Sequence, residues 1–442
     1  MAEMRQPGFG VDSLFIFSLV AVTAMGLLNL YSASVAQEAL FFRQLAATLI
    51  GAALCAVLSV ADYRFLRNHS LWLYLAGAGV LLVTGILGHE VKSTRSWLSF
   101  GFFSVQPSEL FKGVFILHLA VHFSKIQRTR HAAAAGDGLI LPAIFVAIPV
   151  GLILFQGDTG TAAVYLPIFF VMFYLAELDF SLIGFMLAAG VLAAATAVLR
   201  VYGHTLRPEW DPSLQKYLAF PYAAAFFGAA GVLCLLVLIV RLRLTHFRGG
   251  GLIRRLLILL LLLFVGTQGG EGFYRSLKPH QKNRIISFFK PGSDPRGAGY
   301  QSLQAEIAVG SGGLFGKGYL KGSQKRLGFL PEQWTDFAFS VWAEEWGFVG
   351  CLSLLLAHGL LIGCSLWIAK LSTDLFGCLI ACGAATLYFV HMGVGVAMNL
   401  GAFPVVGIPL PFLSYGGSAQ ILNLAVAGLV ISVARHRRLL AA

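Results

Sequence analysis

The chain has 442 residues, 57% of them hydrophobic and only 12% charged. A soluble domain carries roughly 25% charged residues, so this chain cannot cover a water-exposed surface. That composition excludes a disordered chain, a basic nucleic-acid-binding domain and a disulfide scaffold, and leaves a polytopic membrane protein.

The net charge of +12 fits basic residues that hold orientation from cytoplasmic loops; no nucleic-acid partner is expected. Cys55, Cys234, Cys351, Cys364, Cys378 and Cys382 lie in apolar runs without zinc-type spacing, so structural disulfides are not expected. The short polar start leads into an apolar run with no small-residue cleavage site, which reads as a first membrane helix.

Each crossing takes about 20 apolar residues. In chain order the sequence predicts helices near 12–33, 43–61, 70–88, 108–124, 139–155, 160–177, 180–200, 217–240, 252–268, 346–369, 374–398 and 416–434, twelve in all. Basic residues test that count. Arg64, Arg67, Lys125, Arg128, Arg130, Arg241, Arg243, Arg248, Arg254, Arg255, Lys370, Arg435, Arg437 and Arg438 all fall on one side. The short opposite loops carry few cations, which puts both termini in the cytoplasm. Arg254 and Arg255 near the start of 252–268 can snorkel to the inner interface. The spans 217–240 and 252–268 must cross together, because losing one would turn the Arg-rich tail outward.

Residues 269–345 contain no long apolar run and form a large loop, which this topology places outside. It is rich in aromatic and aliphatic residues, so it reads as structured. From 269 to 340 it carries ten basic residues against five acidic ones, on a side where cations are normally scarce. Long loops are partly exempt from the positive-inside rule. Two readings stay open for the excess: contact with anionic lipid head groups, or a site for a phosphate-bearing lipid substrate. Within the loop, 297–318 predicts a short amphipathic helix with Leu303, Ile307 and Ala308 on one face. It runs into a glycine-rich turn suited to tight folding or close approach to a ligand.

The run DPRGAGYQSLQAEIAVGSGGLFGKGYLKGSQKRLGFLPEQWTDFAFSVWAEEWGFVG (294–350) resembles the SEDS family (shape, elongation, division and sporulation) of bacterial peptidoglycan polymerases. FFRQ (41–44), SWLSFG (96–101), QPSELFK (106–112), QGDTGTA (156–162), LKPHQKNRI (277–285) and PVVGIPLPFLSYGGS (404–418) extend the likeness over nearly the whole chain. The PVVG and GSQ-x-x-LGFLPE variants look more like the elongation member than the division member. Two departures stand out: Gly157 and Thr159 in the QGDTGTA run, and Gly395 where many members have asparagine. Most members have ten spans, so the resemblance implies a ten-helix core, with 201–276 an insertion carrying two more helices. The expected fold is therefore an all-α polytopic membrane protein, a single integral membrane domain over 1–442.

The resemblance implies an inverting glycosyltransferase that polymerises lipid II, a disaccharide-peptide on undecaprenyl pyrophosphate, with Asp336 as its essential acid. By spacing alone, Thr335 or Asp336 reads as an N-cap of the helix that follows. As general base Asp336 would take the acceptor hydroxyl proton; holding a divalent cation (Mg or Mn) is the other role open to it. Lys282, Arg284 and Lys290 are the cations available to the departing pyrophosphate. The family motifs add Trp97, Gln301, Ser311 and Glu332 as substrate contacts. Glu109 and Lys112, at i and i+3, share one helical face. They read as a structural ion pair or as a polar wall of the substrate cavity, the second favoured because intramembrane charges are usually functional. Arg43 faces the same cavity or a lipid phosphate.

Asp158 reads as a cap of the GTA helix. His118 and His122, with no third ligand in view, read as core histidines. One of Glu344 and Glu345 is expected to meet a loop cation, since adjacent helical residues point to different faces. Pro404, Pro409 and Pro411 break any helix through 404–418, which reads as a re-entrant or loop segment beneath the large loop. No organic cofactor is expected. The implied partners are a class B penicillin-binding protein transpeptidase and other elongation-complex membrane proteins, in the bacterial inner membrane. A lipid II transporter (flippase) and a non-catalytic scaffold for a transpeptidase are the alternatives.

Overall fold

The computed structural model describes residues 10–35, 37–91, 94–99, 101, 104–130, 140–176, 277–290 and 297–439, with isolated residues between 190 and 275. Two compact units are present, one of 1–178 with 301–442 and the other of 179–300. The first holds α1 (Val11–Ala33), α2 (Glu38–Val60), α3 (Phe65–Leu87), α4 (Pro107–Arg130), α5 (Ile140–Phe155) and α6 (Thr159–Leu175). In the second, α7 (Pro279–Phe289) starts on a proline, whose missing N–H costs nothing at a helix start. Next in the chain are α8 (Ala298–Ser311), which begins at the boundary, and, in the first unit again, α9 (Ser323–Arg326), α10 (Ala338–Lys370), α11 (Leu375–Asn399) and α12 (Gly417–Leu439).

Nine of the twelve expected spans have a helix at their place, within about five residues except at the start of α10 and the end of α4. The spans at 180–200, 217–240 and 252–268, and most of the expected insertion 201–276, lie outside the described residues. Among the described residues six helices are long and apolar enough to cross a membrane, and α5 and α6 are shorter apolar helices. The chain is an all-α polytopic membrane protein.

Burial separates central from peripheral helices. In their most apolar stretches α11 and α12 are 72% and 78% buried, against 28% for each of α1, α2 and α3. The inner pair therefore forms the core, while the outer three leave long apolar faces for lipid. Small residues set the spacing. A Cβ on Gly428 of α12 would lie 2.6 Å from the Cys55 carbonyl oxygen of α2, and one on Gly51 would meet Leu424 at 2.8 Å. Such close backbone approach is how membrane helices gain dispersion contacts without a hydrophobic driving force.

A small antiparallel sheet, not anticipated from the sequence, joins α3 to α4. Strands β1 (His89–Val91), β2 (Thr94–Ser99) and β3 (Ser104–Val105) lie in that order. His89 pairs with Trp97 and Leu98 with Val105. The first four residues of the SWLSFG motif thus lie on β2, which is tied to the α5–α6 turn by the Arg95 N–H on the Gln156 carbonyl.

The expected span 346–369 begins eight residues earlier, at Ala338, and is interrupted at Gly347, whose φ of 63° and ψ of −162° are open only to glycine. The glycine-rich loop fills the break. Lys317 N–H and Gly318 N–H donate to the Glu344 and Glu345 carbonyls, and Phe348 N–H and Val349 N–H donate to the Gly313 and Leu314 carbonyls. A Cβ on Gly316 would lie 2.1 Å from the Glu345 carbonyl oxygen, and one on Gly312 would lie 2.1 Å from that of Ala343. These glycines serve tight folding onto the broken helix. The face expected of α8 is also corrected. Ala305 and Ala308 are buried, whereas Leu303 and Ile307 are exposed; Ala305 packs with Ala33, Leu330 and Phe337.

Gly347→Ala forces an L-residue into this conformation and sets its Cβ 2.3 Å from Gly316 N. It is expected to cost about 1–3 kcal/mol, read as a lower thermal midpoint in detergent; an unchanged midpoint would refute the account of the break.

Candidate active site

Asp336 lies half-buried, two residues before α10. Neither it nor Thr335 caps that helix. The cap position is Phe337, which makes no side-chain cap bond. The Thr335 hydroxyl turns back instead to the Glu332 carboxylate at 3.1 Å. Glu332 itself holds a φ of 54°, a conformation uncommon for a side-chain-bearing residue. It closes the turn by accepting the Thr335 and Phe337 N–H groups on its carbonyl.

Three successive carbonyls around Asp336 are pinned from elsewhere in the fold. Trp334 O accepts from Tyr415 N–H at 2.7 Å. Thr335 O accepts from the Ser414 hydroxyl at 2.7 Å. Asp336 O accepts from the Asn399 side-chain amide at 2.9 Å. Phe337, the next residue, is fully buried. Ser414 and Tyr415 belong to the proline-broken segment, which is buried irregular backbone between α11 and α12. Its own polar groups are met inside the protein. Ser414 Oγ accepts from Leu410 N–H, Pro409 O lies 2.9 Å from His391 Nδ1, and Pro411 O lies 3.0 Å from His358 Nε2. Non-helical backbone survives at membrane depth only when satisfied in this way.

Glu344 and Glu345 each meet a loop cation, in separate places. Glu344 Oε1 accepts from Lys317 Nζ at 2.7 Å and from the Ser323 and Gln324 N–H groups at the start of α9. Glu345 is paired with Lys325, and both bond to Ser32 of α1. Adjacent positions do point to different faces, but the loop wraps far enough to supply each.

Glu109 and Lys112 form a 2.6 Å ion pair inside the helical core, with Lys112 wholly buried. Lys112 Nζ also lies 3.0 Å from His391 Nε2. Because Pro409 O can only accept, the proton of His391 sits on Nδ1 and Nε2 takes the lysine's hydrogen bond. The triad thus joins α4, α11 and the proline-broken segment. Cavities of about 230 and 250 Å³ are lined by other residues. Asp158 caps α6, accepting from Thr161 N–H at 3.0 Å and from Gln106 Nε2 at 2.8 Å. Burial pushes its carboxyl above the ordinary range, against the pull of Thr161. His118 packs between the rings of Tyr74 and Phe145, as expected of a core histidine.

The chain matches the profile of the FtsW/RodA/SpoVE cell cycle protein family over residues 12–211 and 224–439. It is 34% identical to the peptidoglycan glycosyltransferase RodA of Treponema pallidum, over 96% of this chain and 97% of that one. It is 31% identical to the peptidoglycan glycosyltransferase MrdB of Escherichia coli K12, over 97% and 95%. The chain belongs to the FtsW/RodA/SpoVE family. Among solved structures it resembles a chain of a peptidoglycan synthase complex that coordinates polymerisation and crosslinking, with a TM-score of 0.64, 27% identity and coverage of 97% and 99%. It also resembles Thermus thermophilus RodA, at 0.59, 26%, 98% and 99%.

The remaining expected contacts of this family member lie on several elements of the first unit and on α7 of the second. Arg43 is exposed near the start of α2, Trp97 is half-buried on β2, and Gln301 is half-buried on α8. Ser311 ends α8 with its hydroxyl on the Ala308 carbonyl. In the unit of 179–300, Lys282 lies over the Tyr274 ring at 4.2 Å, Arg284 is half-buried on α7, and Lys290 is its exposed C-cap. Among the described residues no three His, Cys, Asp or Glu side chains converge to hold a metal. Asn399, Ser414 and His391 were missed by sequence reading. The signal was available: polar residues in apolar surroundings, on either side of a proline break.

Lys325 and Glu345 are both buried. Lys325→Met strands a buried carboxylate and is expected to cost about 3–5 kcal/mol. Adding Glu345→Gln should recover much of that loss in detergent unfolding; a double variant less stable than Lys325→Met would contradict it.

Proposed function

We propose that the chain polymerises lipid II into glycan strands at the outer face of the bacterial inner membrane, with Asp336 as the general base. The chain is a multi-pass membrane peptidoglycan glycosyltransferase. In the proposed step an acceptor sugar hydroxyl attacks the anomeric carbon of the lipid-linked donor. A new glycosidic C–O bond forms, the bond to the pyrophosphate oxygen breaks, and the configuration inverts. Asp336 takes the hydroxyl proton. The pyrophosphate leaves with charge developing on it; on sequence grounds Lys282, Arg284 and Lys290 are assigned to neutralise that charge.

The observation that carries this reading is the rigid seat of Asp336. A general base must be held at hydrogen-bonding distance from the proton it removes, and the carbonyls of residues 334–336 are each tied to a different group of the fold. The topology proposed places both termini in the cytoplasm and the loop outside, supported by the distribution of basic residues. The proposed partner is a class B penicillin-binding protein, supported by likeness to a chain from a complex that couples polymerisation to crosslinking.

Asp336→Asn should lower polymerisation of labelled lipid II by about 100-fold or more, with the thermal midpoint kept. Full activity in that variant would remove Asp336 from the chemistry. Lipid movement across vesicles with no chains formed, even with the transpeptidase present, would favour the transporter.

A further inference from the structure

Asn399 ends α11 and is 1% exposed. Its amide has every hydrogen-bonding direction filled. Oδ1 accepts from the Ser340 N–H at 3.0 Å and the Ser340 hydroxyl at 2.7 Å. Nδ2 donates to Asp336 O at 2.9 Å and to Gly395 O at 2.7 Å. The partners settle which atom is which, because a backbone N–H must meet the oxygen and two carbonyls must meet the nitrogen. One side chain therefore shares the Ser340 N–H, which also donates to the Phe337 carbonyl at 3.1 Å, and holds the peptide that leads into the first turn of α10.

We propose that Asn399 is a positioning residue for Asp336, acting with Ser414 to fix the direction of its Cα–Cβ bond. The proposal rests on reading Asp336 as the base. The argument is geometric. A peptide unit is planar, so only two soft torsions separate one plane from the next. The carbonyl of Thr335 belongs to the plane preceding the Asp336 Cα, and the carbonyl of Asp336 belongs to the plane following it. Ser414 holds the first and Asn399 holds the second. With both planes held, φ and ψ at Asp336 are set, and so is the direction of its Cα–Cβ bond. Loss of the Asn399 donor leaves the second plane held on one side only, by the Phe337 N–H on the Glu332 carbonyl at 3.3 Å, so the plane can tilt and carry the Cα–Cβ bond with it. A misplacement of about 1 Å in a reacting group can cost on the order of 100-fold in rate.

The test compares Asn399→Leu, Asn399→Asp, Ser340→Ala and Asp336→Asn in the full-length protein, reading lipid II polymerisation and thermal unfolding in detergent. Asn399→Leu removes every bond. Asn399→Asp keeps the shape and the acceptor for Ser340 but sets an oxygen against the Asp336 carbonyl, and it carries the test if the leucine variant does not fold. Ser340→Ala removes one bond to Asn399 and leaves the Asp336 peptide held. The expected result is a kcat lowered roughly 10- to 100-fold in Asn399→Asp, with KM within about twofold and a single cooperative unfolding transition retained at a lower midpoint, because the carboxylate meets two buried carbonyls. Ser340→Ala should keep kcat within about twofold. An Asn399→Asp protein with parental kcat, beside an inactive Asp336→Asn, would overturn the positioning role alone. So would equal losses of kcat and stability in Asn399→Asp and Ser340→Ala, which mark a plain helix cap. Parental activity in Asp336→Asn would instead overturn the reading of Asp336, and the positioning role with it.

Discussion

Inside a membrane protein a backbone N–H or C=O released from its helix has no water to turn to, and each must find a partner within the chain. The segments around Asp336 are organised by that requirement. At Gly347 the helix α10 opens, and the groups it releases are taken up by residues 313–318. Between α11 and α12 three prolines forbid a helix, and the released carbonyls of Pro409 and Pro411 face His391 and His358. Before α10 the carbonyls of 334–336 are taken by Tyr415, Ser414 and Asn399. Within the first unit each of these irregular segments is completed by hydrogen bonds from elsewhere in the fold.

Ionic groups follow the same logic at higher cost. An unpaired buried charge is far more expensive than an unpaired amide. Lys112 is therefore held by Glu109 and His391, and Lys325 by Glu345 and Ser32. The first group joins α4 and α11 to the proline-broken segment, and the second joins α1, α9 and α10. At the proposed site the benefit is a stiff frame around half-buried Asp336. Substrate brings long flexible parts to such a site, and the protein contributes fixed geometry.

Much of this was legible from sequence because membrane helices are read by a bulk property. Twenty apolar residues in a row have few other fates, and so nine helices lie at their expected places. Asp158 as a cap was legible for a local reason, since a cap bonds to its own next turn. The small sheet around Trp97 was not, because its strands are short and paired only through the fold. The face of α8 was misread since apolar periodicity marks Leu303 and Ile307 equally well for lipid, partner or core; packing chose the two alanines.

The sequence by itself determined the class of the protein, its family, and the acid on which its chemistry is proposed to turn. Those rest on composition and on motifs whose residues are close in the chain. Only the tertiary structure decided what surrounds that acid. Asp336 meets Asn399 across 63 residues, and Thr335 meets Ser414 across 79. Partners so far apart in sequence leave no periodic or local trace, because their pairing depends on how α10, α11 and the broken segment pack in three dimensions.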